Sequence, residues 1–244
     1  MERMLAATAA AEDRHFWFRG LRRNARLLLT QAGVSRSASL VIDCGAGTGR
    51  NLDWLREYGP AVGVDLTPMA VRFGHQRGRR LAIGTVTDLP FPSGVADLAT
   101  SFDVLYCLDD EAEARALREM WRVLKPGGVV LVNAAALDML RGSHSTLTFE
   151  KRRYTRARLR SALEVAGFTV ERVTFTNSLL VPPVLAVRGL QRLTGRASTP
   201  SDADLQVPAA PVNVLLDMIL RLEHRCLALT DLPIGTSVMA IARK

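Results

Sequence analysis

The chain is poor in the residues that cross-link a fold or bind a metal. Its 244 residues include three cysteines and four histidines. Cys44, Cys107 and Cys226 are scattered, with no spacing typical of a disulfide framework or a zinc site. We therefore expect no metal centre and a cytoplasmic location. No apolar run reaches the ~18 residues of a membrane span, and no charged-then-apolar leader is visible.

The charge is unevenly distributed. The net charge is +8, from 32 basic and 24 acidic residues. Arginines concentrate in residues 14–36 and basic groups in residues 150–160, where Tyr154 is the one interleaved aromatic. Nucleic-acid recognition usually adds aromatic or zinc-binding motifs to such charge, so we do not expect a nucleic-acid partner. A solvated surface is favoured, with an anionic substrate or an anionic membrane surface as alternatives.

A glycine-rich turn follows the first apolar segment. Asp43 precedes Gly45, Gly47 and Gly49. Glycine in a strand-to-helix turn lets the backbone approach a ligand closely. The dinucleotide fingerprint needs a glycine where Arg50 stands, and the P-loop needs a lysine that is absent. The turn therefore predicts a nucleoside-like ligand without a pyrophosphate grip.

A second apolar segment, residues 61–64, ends in Asp65, 20 residues after Gly45. A carboxylate at such a strand end can accept both hydroxyl groups of a ribose. Leu66 follows and could pack against an adenine ring. The spacing predicts a ribose site beside the glycine turn.

Strand and helix patterns alternate from residue 40 to residue 133, which predicts a parallel sheet with crossover helices. Ligands of such sheets bind at the carboxyl ends of the strands. Asp43, Asp65, Asp88 and Phe102 all fall at these ends. We expect them to lie at one edge of the sheet.

The Asp43-x-Gly45-x-Gly47-x-Gly49 pattern resembles motif I of the class I S-adenosylmethionine-dependent methyltransferases. The segment from Arg122 to Gly128, R-V-L-K-P-G-G, is similar to the motif that follows a helix in that family. The resemblance implies an α/β, Rossmann-like fold with a seven-stranded, mostly parallel sheet and helices on both faces. A helical insertion would precede the last strand, and S-adenosyl-L-methionine would be the cofactor.

The resemblance also implies roles at the cofactor. Asp43 and the glycine turn would lie under the methionine part, and Asp65 would hold the ribose. Asp88 and Leu89 would meet the adenine edge, with Leu66 and Phe102 at its faces. The full implied set is Asp43, Gly45, Ala46, Gly47, Gly49, Asp65, Leu66, Asp88, Leu89 and Phe102.

Candidates near the acceptor are fewer. His144 matches a loop position where a small-molecule subgroup often has histidine, and it is the candidate base. Tyr154 matches an R-R-Y-T segment of that subgroup and is a second catalytic candidate. Arg152 or Arg153 could hold an anionic group.

Two departures accompany this resemblance. Tyr106-Cys107 stands where the family commonly has Glu-His, and Glu150 replaces a second histidine. The loss of both histidines leaves room for a reaction other than methyl transfer, such as a cyclisation.

Three segments are predicted. Residues 1–36 would form a helical cap over the cofactor, with a break near Gly20, and include an H-F-W-F segment similar to one in the subgroup. Residues 37–176 and 232–244 would form the cofactor-binding domain. Residues 177–231 would form a helical insertion.

The insertion contains an amphipathic helix. One face of residues 212–229 carries Leu215, Ile219, Leu222, Cys226 and Leu229. Such a face most often covers the protein's own core, and a lid over an apolar substrate is the functional interpretation we favour. A homodimer face and peripheral membrane contact stay open.

The function predicted is S-adenosylmethionine-dependent methylation of a small molecule, apolar or anionic, as in tailoring of natural products or lipid-like metabolites. One alternative is a methyltransferase-fold enzyme that catalyses a non-methylating reaction. A second is a non-catalytic binding protein, and an RNA methyltransferase is a weaker one.

Overall fold

The computed structural model describes residues 2–138, 150–193 and 206–244. His144 lies outside the described residues. The helices are α1 (Glu2–Ala11), α2 (Phe16–Gln31), α3 (Leu52–Leu55), α4 (Pro68–His75), α5 (Asp110–Val123), α6 (Arg156–Val165), α7 (Val181–Leu193) and α8 (Ala210–Leu229). The strands are β1 (Val41–Cys44), β2 (Ala61–Asp65), β3 (Leu81–Ile83), β4 (Ala96–Phe102), β5 (Leu124–Ala135), β6 (Thr169–Thr176) and β7 (Ser237–Arg243).

The seven strands form one sheet in the order β3-β2-β1-β4-β5-β7-β6. The pairs from β3 to β5 are parallel, and β7 is antiparallel to both of its neighbours. The predicted fold class is therefore confirmed. Strand β7 lies between β5 and β6 and pairs with β6, the strand that precedes the insertion.

The core is densest at the central strands. β1 is buried along its whole length, and the apolar residues of β4 and β5 from Val129 to Val132 are almost entirely buried. Strands covered on both faces read as continuous apolar segments, which explains the pattern of residues 40–42 and 129–132. This packing fixes the carboxyl ends of β1, β2 and β4 at one edge.

The predicted helix break near Gly20 is wrong. The first helix ends at Ala11 and the second begins at Phe16, so Gly20 lies inside α2. A Cβ atom at Gly20 would lie 2.7 Å from Cδ1 of Leu220 in α8. Glycine is present there because the two helices approach closely, a tertiary cause that local sequence does not reveal.

The predicted inward face of the insertion helix is also wrong. The side chains of Leu215 and Leu222 are 57% and 55% exposed, and Leu229 is 89% exposed. The face turned inward carries Asn213, Asp217, Leu220, Glu223 and Leu227. Polar groups on α2 and after β6 bind Asn213, Asp217 and Glu223, and these contacts add to the burial of Leu220 and Leu227 in setting the orientation of α8.

Among the described residues, no helix has the length and apolar character needed to cross a bilayer.

Candidate cofactor and acceptor site

The glycine turn begins directly after β1 and has left-handed backbone. Gly45, Gly47 and Gly49 have φ of 79°, 54° and 74°. A Cβ atom at Gly45 would lie 2.3 Å from Cγ2 of Val104, so any other residue would clash. At Gly47 a Cβ atom would meet Cδ2 of Leu5 at 3.9 Å, an ordinary contact distance, so the left-handed φ is what favours glycine there.

Asp65 ends β2 and binds this turn. Its Oδ2 atom accepts a hydrogen bond from the Gly47 amide at 2.8 Å, and its Oδ1 atom accepts one from the Thr67 amide at 2.9 Å. A carboxylate offers about four acceptor positions, so each oxygen retains one for a ligand hydroxyl. Asp65 therefore lies beside the glycine turn, as the sequence predicted.

The residues predicted at the adenine occupy different environments. Leu66 is 67% exposed, which is unusual for a leucine at the end of a buried strand. Asp88 is exposed, whereas Leu89 is buried and its amide donates to Oε2 of Glu119. The Phe102 ring packs edge-on against Trp54, with centroids 6.2 Å apart. Contact of these residues with adenine stays a prediction.

Unpartnered polar atoms are concentrated on the three central strands. Among the described residues, four buried side-chain polar atoms lack a hydrogen-bond partner, and three of them are Asp43 Oδ2, Ser101 Oγ and Asn133 Oδ1. They belong to β1, β4 and β5, which pair side by side. Leaving a buried polar atom unpaired costs about 1–3 kcal/mol, so each of these atoms indicates a place for a polar partner. The strand register places Asp43 and Asn133 on one face of the sheet and Ser101 on the other.

Asp43 is the most enclosed of these groups. Burial raises the pKa of its carboxyl group to about 7, against the lowering effect of the Thr100 hydroxyl, which donates to Oδ1 at 2.7 Å. A nearby positive charge would favour the ionised form. This carboxyl group is suited to face a ligand that carries a cation.

Asp103 is a candidate that the sequence analysis did not identify. It follows β4 with φ 62°, a backbone conformation that is uncommon for residues other than glycine and that clusters at functional sites. Its amide donates to the Asn133 carbonyl, and its Oδ1 atom accepts from Asn133 Nδ2, both at 3.0 Å. Burial raises its pKa to about 7. Its position directly after a central strand was the available signal.

The predicted acceptor residues are engaged elsewhere. Tyr154 is fully buried and its hydroxyl donates to Oε1 of Glu113, while burial raises its pKa. Arg152 pairs with Glu113 at 2.8 Å, and Arg153 pairs with Glu150 at 2.7 Å. These contacts fit a structural role, and a catalytic role for Tyr154 stays a prediction.

The junction of α1 and α2 contacts the glycine turn. Glu12 is buried, and its Oε2 atom accepts a hydrogen bond from the Thr48 hydroxyl at 2.6 Å. Its Oε1 atom lies 3.7 Å from Nη1 of Arg79. The first two helices are therefore tied to the turn, which is the position that the predicted cap requires.

S-adenosylmethionine fits the residues present. The left-handed glycine turn, the remaining acceptor positions of Asp65 and exposed Leu66 suit a nucleoside. The unpartnered oxygen of Asp43 suits a cationic amino acid part. These residues lie at the carboxyl ends of adjacent strands, where open α/β sheets bind their ligands.

Comparison with known proteins agrees with this geometry. Residues 42–132 match the methyltransferase domain family. A probable S-adenosylmethionine-dependent methyltransferase of Mycolicibacterium smegmatis is 33% identical over 54% of this chain and 52% of its own length. The demethylmenaquinone methyltransferase of Roseiflexus castenholzii is 33% identical over 61% of this chain and 64% of its own length.

The solved structures are more distant. A complex of the Haloferax volcanii Trm112 methyltransferase activator and a putative methyltransferase matches with a TM-score of 0.62 and 21% identity, over 99% of this chain and 94% of that chain. At this identity the likeness concerns the fold. The chain spans about half the length of the first curated relative that it matches. It spans less than half the length of each of the next three.

Proposed function

We propose that the chain is a class I S-adenosylmethionine-dependent methyltransferase that transfers a methyl group to a small-molecule acceptor. The observation that carries this proposal is the contact of Asp65 with Gly47 of the left-handed glycine turn, at the carboxyl ends of β1 and β2. When bound, S-adenosylmethionine supplies a methyl group that is already activated for displacement. The protein therefore contributes mainly orientation and proximity.

We assign the cofactor contacts by position. Asp65 would hold the ribose hydroxyls with the acceptor positions that its backbone contacts leave open. Gly47 would allow close approach of the ligand, and the Asp43 carboxylate would face its positive charge. Residues 1–36 would cap this pocket, supported by the hydrogen bond between Glu12 and Thr48.

Asp103 is the proposed general base. A base works best when its pKa lies near the operating pH, and burial places the pKa of Asp103 at about 7. The Asn133 amide orients its Oδ1 atom. Asp103 would therefore take the proton from an oxygen or nitrogen nucleophile of the acceptor at one carboxylate oxygen while the other stays hydrogen-bonded.

The acceptor class is proposed from relatives. Besides the menaquinone-pathway relative, the erythromycin 3''-O-methyltransferase of Saccharopolyspora erythraea is 36% identical over 44% of this chain and 38% of its own length. We propose a natural product or lipid-like metabolite as acceptor. A cytoplasmic location and a homodimer stay predictions from the sequence.

The test is product analysis. The protein is incubated with S-adenosylmethionine and a panel of phenolic, sugar and quinol acceptors, and products are identified by mass spectrometry. We expect S-adenosylhomocysteine in equal amount to an acceptor heavier by one methylene group. An acceptor converted without a mass gain would favour the non-methylating alternative, and cofactor binding without any conversion of the panel would contradict the proposed acceptor classes.

The role of Asp103 has its own test. Asp103→Asn should lower kcat about 100-fold or more and remove the pH-dependent rise of kcat near pH 7, because the amide accepts no proton. Cofactor affinity should stay unchanged. Glu111→Gln, an exposed change on α5, is the control. An unchanged pH profile in Asp103→Asn would rule out Asp103 as the base.

A further inference from the structure

Helix α8 carries an exposed apolar stripe that the proposed catalytic function does not use. Its members are Leu215, Met218, Leu222, Cys226 and Leu229. Successive members are three or four positions apart, so they are neighbours along one line of the helix surface. Met218 is 61% exposed and Leu222 is 55% exposed. A continuous exposed apolar stripe commonly marks an interaction surface.

The orientation of the stripe is fixed by the opposite face of α8. Asn213 accepts a hydrogen bond from the Phe16 amide and donates one to the Arg14 carbonyl. Glu223 is buried and accepts from the Asn177 and Leu179 amides at 2.5 and 3.0 Å. Turning the stripe inward would break these contacts and bury the leucines where polar partners now lie. The stripe therefore stays outward in the folded protein.

A row of arginines runs beside the stripe. Arg221 is three positions after Met218, and Arg225 is three positions after Leu222, so each arginine adjoins a member of the stripe. Both are exposed. The helix therefore pairs an apolar line with a parallel cationic line, the combination found in helices that lie on anionic lipid surfaces.

The cationic line continues into a groove between α2 and α8. Arg19, Arg22, Arg23, Arg26, Arg221 and His224 line this groove, together with Leu27 and Thr30, around a volume of about 500 Å³. Nη1 of Arg23 is the fourth buried polar atom without a partner among the described residues. Arg19, Arg23 and Arg221 share Asp217 as an ion-pair partner, and Arg26 pairs with Glu57, so part of this charge is neutralised within the protein. A guanidinium group has five N–H donors, and those not used in these pairs suit phosphate oxygens.

We propose that α8 and this groove dock the protein on an anionic lipid bilayer. The stripe would insert among the acyl chains near the headgroups, while the arginines would bind lipid phosphates. The net charge of +8 adds a general attraction to such a surface. A second copy of the chain is a poorer occupant, because a two-fold contact through the same surface would bring the arginine rows of both copies together.

The test is flotation with vesicles of phosphatidylcholine, with or without about one third phosphatidylglycerol. We expect wild-type protein to float with the anionic vesicles and not with neutral ones. Met218→Gln/Leu222→Gln should lower the partition coefficient about tenfold. Arg221→Gln/Arg225→Gln should lower it about 25-fold, because each arginine near the surface contributes about fivefold.

Two control variants test whether vesicle binding depends on this surface or only on net charge and exposed apolar side chains. Val165→Gln changes an apolar residue that is 77% exposed on α6. Arg115→Gln/Arg118→Gln removes the same charge from exposed positions of α5. Both controls should bind anionic vesicles as the wild type does. All variants change exposed side chains, and equal melting temperatures would confirm that each is folded.

Three results would overturn the proposal. The first is failure of the wild-type protein to float with anionic vesicles, and the second is an equal loss of binding in the α5 control and the α8 arginine variant. The third is concentration-dependent self-association in sedimentation experiments that Met218→Gln/Leu222→Gln abolishes, which would assign the stripe to a second copy of the chain.

Discussion

Helices α5 and α8 are both amphipathic, yet they are held in opposite ways. In α5, Ala116, Leu117, Met120 and Val123 are buried, and Arg115 and Arg118 are exposed. In α8 the inward face includes an asparagine, an aspartate and a glutamate, and the outward face is mostly apolar. The inward face of α5 is mostly apolar, with Glu113 as its buried charged residue, whereas the inward face of α8 combines Leu220 and Leu227 with three polar residues.

The inward face of α5 serves mainly the stability of the fold, whereas the contacts of α8 also determine which side chains it exposes. Burial is non-directional, and α5 relies on it more than α8 does, although Glu113 of α5 also binds Tyr154 and Arg152. The directional contacts of α8 specify its rotation, which keeps apolar side chains in solvent at a cost to stability. Such an arrangement is expected where the exposed surface has a partner.

The largest expected contrast comes from the same substitution in each helix. Met120→Ala in α5 removes a fully buried side chain and should lower the free energy of unfolding by about 2–5 kcal/mol. Met218→Ala in α8 should change it by less than about 0.5 kcal/mol, since that side chain is largely exposed. Urea denaturation measures both. Equal losses would mean that the outward face of α8 is packed in solution.

A smaller effect is expected from the ion pairs of α8. Asp217 lies 2.8 Å from both Arg23 and Arg221 and 3.4 Å from Arg19. Burial alone would raise its pKa, but the hydrogen bonds from Arg221 and Arg23 outweigh burial and lower the pKa. Asp217→Asn should therefore cost about 1–3 kcal/mol at neutral pH.

This cost should depend on pH in a defined direction. A lowered carboxyl pKa stabilises the fold above the unfolded pKa, and the stabilisation is lost as the pH falls through the folded pKa. The difference in unfolding free energy between wild type and Asp217→Asn should shrink below about pH 4. Glu223 has a raised pKa from burial and is present in both proteins, so it cancels from the comparison. A difference that grows on acidification would contradict the assigned pairing.

The smallest expected effect compares two helical glycines. A Cβ atom added at Gly189 in α7 would have no other atom within 4 Å, so Gly189→Ala should raise the free energy of unfolding by about 0.5–1 kcal/mol. Gly20→Ala would place its methyl group 2.7 Å from Leu220 Cδ1 and should lose that gain to crowding. Thermal melts of both variants give the comparison. An equal gain at Gly20 would show that α2 and α8 lie farther apart.

The sequence predicted the parts of this molecule that local rules determine. The glycine turn and the end of β2 at Asp65 depend on residues close in sequence, and both are present. The parts it predicted wrongly depend on distant residues. The face of α8 and the glycine at position 20 are set by contacts between helices about 200 positions apart.

The candidate site likewise has features that the sequence could predict and features that depend on tertiary contacts. The closeness of Asp65 to Gly47 follows from strand order and could be predicted. The position of Asp103 directly after β4 could be read from the sequence, but its left-handed backbone and its contact with Asn133 depend on the pairing of β4 with β5 and could not. Tyr154 lies in an expected motif, but its burial against Glu113 depends on tertiary contacts that the motif does not reveal.

The central claim is that the glycine turn and Asp65 bind S-adenosylmethionine. Calorimetric titration of wild-type protein, Asp65→Ala and the exposed control Glu111→Ala tests it directly. We predict binding by wild type and control, and affinity at least about tenfold lower for Asp65→Ala, since hydrogen bonds to a charged group contribute about 1.5–3 kcal/mol. No binding by folded wild-type protein, or equal affinity of Asp65→Ala, would contradict the account.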